Sequence, residues 1–356
     1  MVMMVPESAR IGRFCWNPTY ACPLRCIHCY TESGRRAAQM LREPEMRRVV
    51  QAIIDARPKR VSVGGGEPLL VPWWEEMFGL FKSAGIPLTV FTSGWVFDDE
   101  AAEKLASLVA TTTVSVDGPN AVVHDLVRGR AGSFDRAMAA LERLTRIRRE
   151  RTARGEDSCA VALDYTVTRS GLPGIDDFVA EASARLPGLD SITFGAAMPI
   201  GVAQESGFVE HELLSDDELV GLVEAESRLA ARAVNGVRVT VTDARFFLPN
   251  SPLYDRGAEI ATIEPDGSLR AHGAYEAKVG SLLDEPVDVL WSRALEWRND
   301  PYVREQTHSI HSLADWARAS SALDRRYGSD ADKKRIARRD GAKRVMLPDP
   351  TVRRTG

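Results

Sequence analysis

The chain has 356 residues, 44% hydrophobic and 27% charged, with a formal net charge of −4. This composition suits a globular protein with a sizeable core and argues against a disordered chain or a dedicated nucleic-acid binder. No apolar run approaches a membrane span, and the chain opens without a charged-then-apolar signal segment, which points to the cytoplasm.

The first predicted strand, residues 13–17, runs into a loop carrying Cys22, Cys26 and Cys29. Cysteine is otherwise scarce: Cys15 and Cys159 complete the set, and each is expected to be a buried small hydrophobe. Three readings of the trio compete. A structural zinc site wants four protein ligands, and the available fourth, His28, sits beside Cys29, where adjacent residues rarely converge on one ion. A disulfide framework does not suit a long chain without a signal segment. An iron–sulfur cluster on three thiolates fits the x3, x2 spacing best, and its open iron would let a small molecule bind the metal.

A helix over 45–56 leads to a strand at 60–63, which ends in Gly64, Gly65, Gly66, Glu67 and Pro68. Glycines there let the backbone approach a ligand, and the proline stops the strand. A strand at 88–92 ends in Thr92, Ser93 and Gly94, and a helix over 98–108 follows. The strand at 112–116 leads to Asp117, His124, Asp125 and Arg128, then a helix over 134–149 and a charged, exposed connection over 146–157. In the strand at 160–168, alternation puts Asp164, Thr166 and Thr168 on one face, expected to line a cavity. A helix over 176–185 and a strand at 191–195 complete the series. Strands alternating with helices imply right-handed crossovers and a parallel sheet. Six units at roughly 30 residues each give an α/β fold, a partial (β/α)6 TIM-like barrel, with active groups at the C-terminal ends of its strands.

The Cys-x3-Cys-x2-Cys loop resembles the signature of the radical SAM enzymes. That resemblance implies one [4Fe–4S] cluster on Cys22, Cys26 and Cys29, whose unique iron chelates S-adenosyl-L-methionine. Reductive cleavage would then give a 5′-deoxyadenosyl radical that abstracts hydrogen from a substrate. Gly65, Gly66, Glu67 and Pro68 are similar to the family's Gly-Gly-Glu-Pro motif, which implies backbone and Glu67 contacts with the cofactor's amino group. The stretch from Asp117 to Asp135 resembles the peptide-modifying branch of the superfamily. It implies that Ser115 and Asp117 lie near the cofactor and that Arg128 pairs with its carboxylate, a bidentate contact suited to a guanidinium. His28 is counted with these cofactor-binding residues. At 201–203 the family's usual Gly-Arg-Ala has Val202 in place of the arginine.

After a helix over 216–234 comes a strand at 237–242, then a β-hairpin over 263–272 turning at Asp266 and Gly267. This region looks like the SPASM or twitch extension, which carries further cysteine-bound clusters. Here His272 stands at the first ligand position, His308 and His311 mark the later run, and Ala317 and Ser321 occupy the following spacings. No cysteine follows Cys159, so auxiliary cysteine-ligated clusters are excluded and a degenerate, cysteine-free extension is expected. The three histidines are not assigned a metal. The expected division is a barrel over 1–235, the extension over 236–325 and a basic tail over 326–356, read as a solvated helix and a frayed end.

The resemblance implies an enzyme that modifies a ribosomally made peptide by crosslinking, epimerisation or a related change. The alternative is a radical SAM enzyme acting on a small metabolite such as a sugar, amino acid or tetrapyrrole side chain. More remote is a zinc-stabilised binding protein without activity. Expected partners are an electron donor such as flavodoxin or ferredoxin and, because only a dozen residues precede the first strand, a separate leader-peptide-binding protein. No nucleic acid or membrane is expected.

Overall fold

A computed structural model of the chain describes residues 11–247 and 260–339. The basic pair Lys343 and Arg344 and the stretch before the first strand, residues 1–10, lie outside the described residues.

The elements alternate as their periodicity predicts. They begin β1 (Arg13–Trp16), α1 (Glu43–Asp55), β2 (Arg60–Val63), α2 (Trp74–Ser83), β3 (Leu88–Thr92) and α3 (Asp99–Leu108). Next come β4 (Thr111–Ser115), α4 (Ala121–Arg128), α5 (Ser133–Ala153), β5 (Ala160–Val167), α6 (Ile175–Arg185) and β6 (Ser191–Ala196). Helices α7 (Ser206–His211), α8 (Asp216–Glu224) and α9 (Glu226–Arg232) precede β7 (Arg238–Thr242). The chain continues as β8 (Ile260–Ile263), β9 (Ser268–Arg270), β10 (Lys278–Ser281), α10 (Val287–Arg298), α11 (Pro301–His308), α12 (Leu313–Tyr327) and α13 (Asp330–Arg339).

Among the described residues, ten strands join one open sheet in the order β10-β9-β8-β1-β2-β3-β4-β5-β6-β7. Strands β1 to β7 pair in parallel, each with the next. The partial barrel is therefore present, and it is longer than six strands. β7 adds to β6 as a seventh parallel strand, and β8 runs parallel to β1 on the other side. The hairpin of β8 and β9 is antiparallel, and Gly267 supplies the positive φ of 80° that its turn requires.

Register explains why the sheet has one dry face and one functional face. One set of paired rows is apolar: Val63 beside Val90, and Val114 beside Leu163 and Ile192. The helices cover that face, with Met46, Val49, Val50 and Ile53 of α1 and Trp74, Met77, Phe78 and Phe81 of α2 at helical spacing. The alternate rows are small or polar: Cys15 beside Ser62, and Ser115 beside Asp164, Thr193 and Thr240. Short side chains there leave room inside the curve of the sheet.

Two expectations change. The charged connection over 146–157 is mostly helix, because α5 continues to Ala153 through an arginine-rich stretch in which Arg146 pairs with Glu150. The helix over 216–234 breaks at Ala225 into α8 and α9.

Candidate active site

The cysteine loop follows β1 at the C-terminal end of the sheet and is pinned by backbone on several sides. The end of α4 accepts two of its amides, Arg25 N–H to Arg128 O at 3.1 Å and Ile27 N–H to Val127 O at 2.9 Å. From the loop after β2, Gly66 N–H donates to Thr19 O and Glu67 N–H to Ala21 O, both at 2.8 Å. Val202 N–H donates to Cys29 O at 3.0 Å. Gly66 is required for this approach: a Cβ there would stand 2.2 Å from Ala21 O. The glycines thus press the β2 loop onto the cysteine loop.

Cys26 is buried, while Cys22 and Cys29 are half-buried. Burial, then the neighbouring Cys26, pushes the Cys22 thiol well above its usual range. Burial pushes the Cys26 thiol up to about 11, with Arg128 pulling the other way and Cys29 adding to the rise. Cys22 and Cys26 therefore ionise only against added positive charge, which an iron–sulfur cluster brings. Among the described residues, no three His, Cys, Asp or Glu gather as a shell for a single ion. A cluster is wider than one ion, so its three ligands stand farther apart. The donor set fits the cluster, with Arg128 as a cation 3.7 Å from the Cys26 sulfur.

Glu67 is fully buried and ties two strand ends together. Its carboxylate accepts from Thr92 Oγ1 at 2.8 Å, from Ser93 N–H at 2.9 Å and from Ser93 Oγ at 2.5 Å. Burial raises its pKa despite those bonds. Pro68 begins the short 3-10 turn that Glu67 caps.

Asp117, just past β4, is the hub of the site. Its Oδ2 lies 2.6 Å from Arg128 Nε and 2.7 Å from His28 Nε2, and its Oδ1 accepts Thr166 N–H at 2.9 Å. Burial would raise the Asp117 pKa, but Arg128 and His28 outweigh it and hold the carboxyl well below the usual range. His124 Nδ1 accepts the Asp117 amide at 3.1 Å, and burial followed by the Arg128 charge takes this imidazole down to about 4. His124 and Arg128 are both buried. Arg128 is thus held between Asp117 and the Cys26 sulfur.

His28 and Tyr30 open onto a cavity of about 210 Å³ walled by Asp164, Thr166, Thr193, Met198, Thr242 and Phe247. Ser115 pairs with Asp164 across β4 and β5. Asp164 and Thr166 thus face the cavity as alternation requires, whereas Thr168 turns to Ser170 Oγ at 3.2 Å. Burial, then the Asp117 charge, raises the Asp164 pKa to about 7, with Arg128 opposing. An acid whose folded-state pKa is raised keeps its full stability below the unfolded pKa and loses it as pH rises towards the folded value. Asp164→Asn should therefore melt with wild type near pH 4 and gain about 2–4 °C above pH 7. Melting curves of the cluster-free protein across that range test this; a pH-independent difference would refute it.

In the C-terminal region, His272 is half-buried beside Tyr275, and desolvation followed by Arg298 takes it down to about 3. His308 and His311 lie at the exposed end of α11 and just beyond it. These histidines do not assemble into a metal group among the described residues. A buried ionic cluster joins β9 to the end of β1. Glu264 Oε1 accepts from Arg270 Nε at 2.8 Å and from Asn17 Nδ2 at 3.3 Å, and Tyr30 donates its hydroxyl to Asn17 at 2.9 Å. Residue spacing gives no sign of this link, since Asn17 and Glu264 are 247 positions apart. Cys159 is buried as expected; Cys15 is half-buried, its sulfur 4.0 Å from Tyr30 Oη.

Residues 16–154 match the model of the radical SAM superfamily. Over 169 residues the chain is 33% identical to mycofactocin maturase MftC of Mycolicibacterium smegmatis, covering 47% of this chain and 41% of that protein. It is also 33% identical over 129 residues to an AdoMet-dependent heme synthase of Methanosarcina barkeri, covering 36% and 37%. The chain thus spans about two fifths of the length of these curated relatives. Among solved structures, native anSMEcpe with bound AdoMet superposes with a TM-score of 0.62 at 16% identity, covering 93% of this chain and 100% of that one. Its complex with AdoMet and Cp18Cys peptide gives 0.59. At that identity the likeness is one of fold.

Proposed function

We infer, for a chain whose residues 16–154 belong to the radical SAM superfamily, an enzyme that abstracts hydrogen from a ribosomally made peptide and so modifies it. The observation that carries this reading is the trio Cys22, Cys26 and Cys29 in one loop whose His28 and Tyr30, on either side of Cys29, line a cavity walled by polar strand residues. Cys22, Cys26 and Cys29 would hold one [4Fe–4S] cluster, beside which S-adenosylmethionine binds. Together these supply hydrogen abstraction triggered by one-electron reduction.

The protein's own part is to bind, orient and exclude. Gly65, Gly66 and Pro68 offer backbone beside the cysteine loop, held in place by Glu67. Asp117 and Arg128 form an ion pair behind it, with His28 hydrogen-bonded to Asp117, and Ser115 stands at the same strand end. Asp164, protonated up to about pH 7, presents an O–H to whatever fills the cavity. A reductase such as flavodoxin or ferredoxin would deliver the electron, and a separate protein would present the leader of the peptide. An oxygen-sensitive centre of this kind suits the cytoplasm. Among the described residues, no helix is long and apolar enough to cross a membrane.

A peptide is favoured as substrate because the neighbour of matching fold is recorded with one bound and MftC is named a maturase. The heme synthase relative favours a second reading, a small metabolite. The test is anaerobic turnover with S-adenosylmethionine, dithionite and a panel of deuterated short peptides. Deuterium in 5′-deoxyadenosine is expected. Cofactor cleavage without label transfer would turn the reading towards a metabolite, and no cleavage would overturn it.

A further inference from the structure

The last described helix was expected to be solvated, yet Arg339 is buried and Arg335 half-buried against the segment that follows the cysteine loop. Glu32, three residues past Cys29, is 4% exposed and has a φ of 55°, a left-handed conformation that a glutamate adopts only under constraint. Its carboxylate is ion-paired with both Arg335 and Arg339 of α13. Without them it would be a buried anion lacking a partner, which is strongly destabilising.

The same helix reaches the loop a second way. Arg339 donates to Gly201 O at 2.8 Å. Gly201, at φ 60°, lies flat on the cysteine loop: a Cβ there would stand 2.6 Å from Cys29 O and 2.5 Å from Tyr30 O. The neighbouring Val202 amide bonds Cys29 O at 3.0 Å. Arg335 is anchored in turn by Asp332 at 2.9 Å and Glu276 at 3.1 Å. Both ties converge on the peptide of Cys29 and on the strained residue beyond it.

We propose that α13 is a clip on the cysteine loop, in which Arg335 and Arg339 are positioning residues that act through Glu32 and Gly201 to set how firmly Cys29 holds iron. The inference rests on the cluster-binding reading of that loop. The clip would hold the loop from the C-terminal side in an extension that has lost its cysteines. Because it is ionic, its grip depends on charge as well as packing.

The test compares anaerobically reconstituted wild type with Arg335→Met/Arg339→Met and Arg335→Lys/Arg339→Lys. The readouts are the rate of iron release to a ferrous chelator and the electron paramagnetic resonance spectrum of the dithionite-reduced protein. The Met variant is expected to release iron at least tenfold faster and to give a broadened signal. The Lys variant should stay within threefold of wild type with the wild-type line shape, a rescue that lost packing alone would not produce. A folded Met variant with unchanged release and spectrum overturns the proposal. If that variant does not fold, Glu32→Gln decides, since it leaves Arg335 its partners on Asp332 and Glu276; faster release supports the clip and an unchanged rate overturns it. A wild-type protein that takes up no iron overturns the parent reading and this inference with it, whereas wild-type loading with unmoved variants overturns the inference alone.

Discussion

Replacing Cys22, Cys26 and Cys29 together by alanine is expected to leave a folded protein that retains no iron and cleaves S-adenosylmethionine at least about 1000-fold more slowly, the scale seen when a group the reaction depends on is removed. The two halves of this expectation have separate causes. The loop's shape comes from its backbone bonds to Arg128 O, Val127 O, Gly66, Glu67 and Val202, none of which uses sulfur. Leu24, also buried in the loop, stays in the core after the change. Far-ultraviolet circular dichroism and the melting temperature of the cluster-free protein should therefore move little. Iron uptake should vanish, because no other group of His, Cys, Asp or Glu among the described residues offers a metal shell. Iron content by colorimetric assay and 5′-deoxyadenosine by chromatography measure both halves. Wild-type cleavage in the triple variant would remove the cysteine loop from the chemistry altogether.

What the sequence revealed and what it hid divide along the range of the interactions. Strands at 60–63 and 88–92 were legible to the residue, since a β-branched run bounded by glycine or proline is a local signal. The ends of helices were not: α5 overruns its expected end by four residues, because arginine and glutamate at helical spacing pair along the helix, as Arg146 does with Glu150. The cysteine loop and the Gly-Gly-Glu-Pro run were visible as motifs. Their relation to each other was not, for only the fold sets Gly66 N–H on Thr19 O and Glu67 N–H on Ala21 O. Arg128 was marked as a site residue, but its partner had to be seen: only the fold brings it between Asp117 and Cys26. The least legible feature is Glu32 with Arg335, a contact across 303 residues between two charges that each look solvent-exposed in sequence.

Asp117→Ala is expected to destabilise the cluster-free protein by about 3–5 kcal/mol, the cost of stranding one member of a buried ion pair. Arg128 cannot escape by losing its proton, so its charge stays beside Cys26 with no counter-ion of comparable closeness. Thr166 N–H also loses its acceptor and His28 its carboxylate. One effect works the other way. The Asp117 charge contributes to keeping Asp164 protonated, and Arg128 favours its ionised form, so loss of Asp117 lets Asp164 ionise and partly replace it. That relief places the expected cost at the lower end of the range, and it makes Asp117→Ala more damaging still in an Asp164→Asn background. Removing both members of the pair avoids the stranded charge: Asp117→Asn/Arg128→Met should lie within about 1–2 kcal/mol of wild type, much milder than Asp117→Ala. Urea unfolding of the four variants at pH 7 gives these differences directly. A double variant as unstable as Asp117→Ala would mean that the pair's hydrogen bonds, not its charge balance, hold this corner of the site together.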